Sequence, residues 1–139
     1  MHEVTKKAIE RDIILAQEFF GEAAVSWPPS GSWIMIKGYR LPSFYNRKET
    51  AILIVLPPHY GLIDVSLEEF YMDKGLKVNT KNGWKNIPHY YTGDNLNQFS
   101  ASGWGWYCIH PKNWQKTDSI LTFLKLIDLM LQQPYKWNT

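Results

Sequence analysis

The chain has 139 residues, enough to bury a core without disulfide or metal staples, and fits one domain spanning residues 1–139. Hydrophobic residues make up 45% and charged residues 20%, and 15 Lys and Arg against 13 Asp and Glu leave a net charge of +2, too small for a broad nucleic-acid-binding field. One cysteine excludes an internal disulfide, four scattered histidines lack the spacing of a zinc site, and the longest aliphatic run, Ala51 to Leu56, is far too short to cross a bilayer. The expectation is a cytoplasmic protein with a reduced thiol, no cofactor, no metal, and no nucleic-acid or membrane partner.

Residues Thr5 to Phe20 place Ala8, Ile9, Ile13, Ala16 and Phe20 at helical spacing between charged positions, and Gly21 stands where a helix ends. The breaker cluster Ser26 to Ser32 follows, and then the period changes. Trp33 to Lys37 alternates like a strand, Glu49 to Leu56 is β-branched and reads as the most buried strand, and Val65 to Met72 is a third strand. The connections between them are too short for crossover helices, so the strands form an antiparallel meander. Asp73 to Ser102 is polar, aromatic and without period, which reads as a long irregular loop of functional use. Trp104 to Ile109 reads as a short strand, which makes about four in all. Asp118 to Gln132 is a helix with the stripe Ile120, Leu124, Ile127 and Leu131, capped by Thr117 or Asp118 and stopped by Pro134. This is an α+β order, with helices packed on an antiparallel sheet.

Chemistry concentrates around Cys108. In an extended segment residues two apart share a face, so Cys108 and His110 lie side by side. An imidazole there lowers the thiol pKa or takes its proton. The plain alternative is a buried cysteine acting as a small apolar group beside an ordinary polar histidine. Gly103 and Gly105 upstream remove side chains where a peptide tail can approach the backbone.

The ordered set of segments resembles the ubiquitin-conjugating enzymes. Val55-Leu56-Pro57-Pro58-His59-Tyr60-Gly61-Leu62 looks like the strand end and "P-x-x-Y-P" turn of that family, followed as there by an irregular stretch, one cysteine, a tryptophan (Trp114) and an apolar helix. The likeness is more specific to the bacterial members called prokaryotic family E. Their "L-P-x-x-Y-N" segment is matched by Leu41 to Asn46, and the later histidine, tryptophan and "D-x-x-x-x-L" by His110, Trp114 and Asp118 to Phe123-Leu124. The resemblance implies a conjugating-enzyme-like fold: an N-terminal helix, the meander sheet, a long irregular loop and one C-terminal helix packed on the sheet.

It also implies an acyl transferase. Cys108 would carry a ubiquitin-like C-terminus as a thioester received from an activating enzyme and pass it to a target amine. The setting implied is a bacterial conjugation system, antiphage defence among its roles. The "H-P-N" triplet that precedes the cysteine in eukaryotic members is absent. Asn113, Asn97 or Asn95 would then support the oxyanion, and Asp118 would stand second to His110 in deprotonating the amine. Two other readings stay open: a conjugating-enzyme-like binding module without a covalent step, and a small cysteine hydrolase using Cys108 and His110. Against the hydrolase, the sequence offers no third residue to orient the histidine. His89, in the long loop, is a further histidine that could approach the thiol.

Overall fold

The structure, a computed structural model, describes residues 2–88, 90–91 and 103–135. Helix α1 spans Glu3–Phe20. His2 caps it, its Nδ1 accepting from the Val4 N–H at 3.1 Å. Gly21 ends it in a conformation with φ 92 that side-chain-bearing residues rarely adopt. A short 3-10 turn, Glu22–Ala24, leads to β1 (Val25–Ser26), β2 (Trp33–Arg40), β3 (Glu49–Val55) and β4 (Glu69–Asp73). Next come β5 (Val78–Thr80), β6 (Gly83–Lys85), β7 (Tyr90–Tyr91), β8 (Trp104–Cys108) and helix α2 (Ile120–Gln132). The architecture is α+β, as the sequence implies.

The main sheet is antiparallel in the order β1-β2-β3-β4-β8-β7. It has six strands rather than about four, because β1 and β7 are two-residue edge strands, too short to carry a period. The segment expected to be one long irregular loop also contains the β5–β6 hairpin, which forms a separate two-stranded sheet. Expected positions Asn95, Asn97 and His89 lie outside the described residues.

The third strand starts at Glu69, not Val65. The alternation expected across Val65 to Met72 breaks there: Leu67, Phe70 and Met72 all enter the core, so the phase resets between Glu68 and Glu69. That reset frees Glu68 from the strand pattern, and its side chain points elsewhere.

Both helices pack on one face of the sheet. Ile34, Ile36, Ile52, Ile54, Phe70, Met72 and Tyr107 meet Ala8, Ile9 and Ala16 of α1 and Ile120, Phe123, Leu124, Ile127, Met130 and Leu131 of α2. Phe70 stacks on Tyr107 at 5.5 Å and meets the edge of Phe123 at 5.8 Å, which fixes β4, β8 and α2 together. The α2 cap is Ser119 rather than Thr117 or Asp118. Its Oγ accepts from the Leu121 N–H, and Thr122 Oγ1 accepts from the Ser119 N–H. Asp118 is used one step earlier, its Oδ2 accepting from the Gln115 N–H at 2.7 Å to close the turn before the helix.

One buried network ties these parts. Asp12 of α1 is fully buried and accepts from Arg11 Nε at 2.9 Å, from the Tyr60 hydroxyl, and from the Ile120 N–H at 3.1 Å. It therefore supplies an acceptor to the first turn of α2, where helical N–H groups lack partners. Arg11 donates onward to the Lys116 and Asp118 carbonyls. Gly61, next to Tyr60, has φ 97, and a Cβ there would lie 2.8 Å from the Ala8 Cβ, so only glycine lets this turn sit against α1.

Candidate active site

Strand β8 alternates. Gly105 and Tyr107 are buried, while Trp104, Trp106 and Cys108 are only partly so, on the opposite face. Cys108 ends the strand opposite Glu69 of β4. One residue further, the Ile109 N–H donates to the Glu68 carbonyl at 2.9 Å, which extends the pairing and holds residues 108–110 against 68–69.

Cys108 and His110 do share a face. The thiol is partly exposed, and its Sγ lies 3.2 Å from His110 Nε2. On the other side of the ring, His110 Nδ1 is 2.5 Å from Glu68 Oε2. The sequence reading missed Glu68, which is the orienting third group it found lacking. A carboxylate at Nδ1 favours the tautomer that carries hydrogen there, leaving the Nε2 lone pair facing the thiol.

The thiol itself departs from expectation. Burial first, then the negative charges of Glu68 and Glu69, push Cys108 up to about 11 rather than down toward neutrality. At pH 7 only about one molecule in ten thousand is then thiolate. Activation at neutral pH requires S–H to pass its proton to Nε2 as the sulfur attacks, which is general-base chemistry and not a standing ion pair. Glu69 pairs with Cys108 across the sheet. Glu69→Gln should therefore lower the thiol pKa and raise its iodoacetamide alkylation rate at pH 8 about two- to fivefold. An unchanged or slower rate would mean that this charge does not act on the sulfur.

A groove of about 560 Å³ opens beside His110. Ile109, Pro111, Trp114 and Leu126 give it apolar walls; Asn113, Asp118 and Thr122 add polar groups. His110, Asn113 and Asp118 are thus brought to one cleft. Asn113 sits in the left-handed region at φ 58, a conformation asparagine tolerates better than most residues. Gly103 and Gly105 lie toward the other end of β8 from the thiol. Gly103 forms a turn at φ 87 with its carbonyl accepting from the Lys74 N–H, and Gly105 pairs with Met72.

Among the described residues, no group of three or more His, Cys, Asp and Glu side chains is arranged to hold a metal, and no helix is long and apolar enough to cross a membrane. No curated protein and no solved structure matches the chain significantly. The family model of prokaryotic E2 family E, however, matches residues 16–134, a stretch that takes in the whole sheet, the Cys108 strand and all of α2. The chain belongs to prokaryotic E2 family E.

Proposed function

We propose that this protein carries a ubiquitin-like C-terminus as a thioester on Cys108 and passes it to an amine on a protein target. The observation that carries this reading is the 3.2 Å approach of Cys108 Sγ to His110 Nε2, at a partly exposed strand end beside an open groove. Family membership supplies the general conjugating role.

In the first step, Cys108 sulfur attacks the carbonyl carbon of the thioester on the activating enzyme while its proton moves to Nε2. The enzyme's thiolate leaves and is protonated, so one thioester replaces another. In the second, a target amine attacks, the C–S bond breaks, and the sulfur recovers a proton as the amide forms. His110 is the base nearest that carbon. Asn113 and Asp118 line the same groove, whose apolar walls at Trp114 and Leu126 offer a surface for an extended tail. Oxyanion support falls to backbone N–H groups and Asn113, with Asn97 as a second asparagine for that task. The partners are a ubiquitin-like protein, its activating enzyme and a target, in the bacterial cytoplasm, in a conjugation system with antiphage defence as one use.

The test mixes the full chain with ATP, an activating enzyme and a ubiquitin-like protein of a bacterial conjugation system. The expected product is a reductant-sensitive adduct, absent in Cys108→Ala. A charged activating enzyme that leaves the wild-type chain unmodified would overturn the reading. It would favour instead the binding module without a covalent step, for which the high thiol pKa already speaks.

A further inference from the structure

Acylation of Cys108 leaves a histidine unemployed. Once the sulfur holds an acyl group it no longer donates to Nε2, and the lone pair that took the thiol proton faces the new thioester. The Nδ1 side remains held by Glu68, so the ring keeps its orientation. His110 and Glu68 have side chains 58% and 47% exposed, and the groove lined by His110 is open, so the imidazole ring stands at the solvent. A thiol, an imidazole and a carboxylate in series, with solvent at the imidazole, form the constellation that deacylates a cysteine.

We propose that Cys108, His110 and Glu68 also hydrolyse the thioester formed on Cys108, releasing a peptide C-terminal carboxylate to water when no amine acceptor is bound. The inference rests on the reading that Cys108 becomes acylated, and it adds a second fate for that acyl group. Water oxygen attacks the carbonyl carbon as its proton passes to His110 Nε2. The C–S bond then breaks, the sulfur takes the proton back from His110, and the new carboxylic acid loses its own proton to solvent. A sulfur as basic as this one leaves as thiol, which is why the returning proton matters. Glu68 acts on neither the acyl group nor the attacking water; it is a positioning residue for His110.

The experiment acylates the full chain with an excess of a synthetic peptide α-thioester, removes the excess by rapid desalting, and follows the Cys108 adduct by intact mass in amine-free buffer enriched in 18O water. The wild type should shed the acyl group at least about tenfold faster than Glu68→Gln at pH 7.5, with one 18O in the released carboxylate. Glu68→Asp should recover part of the rate. The wild-type rate should level off with pH, whereas the Glu68→Gln rate should climb with hydroxide. Glu68 is exposed, so thermal melts of the variants should match the wild type and a folding defect would be visible apart from the chemistry. An adduct equally long-lived in wild type and Glu68→Gln, with the same pH profile, overturns hydrolysis and leaves the carrier role standing. Failure of any adduct to form overturns both.

Discussion

Replacing His110 with glutamine is expected to slow acylation of Cys108 by a peptide α-thioester about a hundredfold at pH 7.5. The reason lies in the thiol. With burial and two carboxylates holding it up at about 11, almost none is ionised at neutral pH, and in the proposed reaction Nε2 has to take the proton during attack. Glutamine cannot accept that proton. The sign of the pH dependence follows. An acid whose pKa is raised needs higher pH to ionise, so the His110→Gln rate should rise about tenfold per pH unit up to pH 10, while the wild type rises less steeply. The gap between them should close with pH. Quenched-flow sampling with intact mass detection measures both. A His110→Gln rate within about threefold of wild type at pH 7.5 would remove the general base from the mechanism.

The second large effect is on stability and comes from a residue far from the thiol. Asp12→Ala should cost about 3 kcal/mol in urea denaturation. Removing the carboxylate leaves the Ile120 N–H and the Tyr60 hydroxyl without their acceptor and Arg11 without its ion-pair partner. Burial raises the Asp12 carboxyl above its ordinary value, against the opposing effects of Tyr60, Arg11 and the Ile120 N–H. A raised acid binds its proton more tightly in the native state. Its contribution is therefore fully present below the unfolded carboxyl value near 3.9 and declines as pH rises through the native one. The difference between wild type and Asp12→Ala should be larger at pH 4 than at pH 7. A loss below about 1 kcal/mol, the scale of an exposed ion pair, would mean that the network is solvated and not a keystone. Because Arg11 also holds the Lys116 and Asp118 carbonyls, the substitution should loosen the wall of the groove beside His110 as well.

Asp12 and Glu68 make the same point about what a sequence discloses. Asp12 reads as one more polar residue on an amphipathic helix, yet it is buried and reaches a backbone N–H 108 residues away. Glu68 reads as an unremarkable position in a strand pattern, yet it orients the histidine 42 residues later. The signal that would have found Glu68 is the pairing of Glu69 with Cys108 across β4 and β8. That pairing skips the whole segment between Asp73 and Trp104, two of whose short strands are themselves paired elsewhere. The Ser119 cap illustrates a smaller miss. Thr117, Asp118 and Ser119 are all able caps, and the Asp118 carboxylate was already committed to the Gln115 turn.

The sequence by itself determined the α+β class, the two helices with their buried stripes, the central strands, and the shared face of Cys108 and His110. Each of these is set by neighbours two to four residues apart, whose spacing the backbone period converts directly into a common side. Only the tertiary structure decided that β4 lies beside β8, that Glu68 completes the approach to the thiol, and that Asp12 joins α1 to α2. Strand register and buried polar pairing depend on how the whole core closes, and no local period encodes which distant partner a side chain will meet.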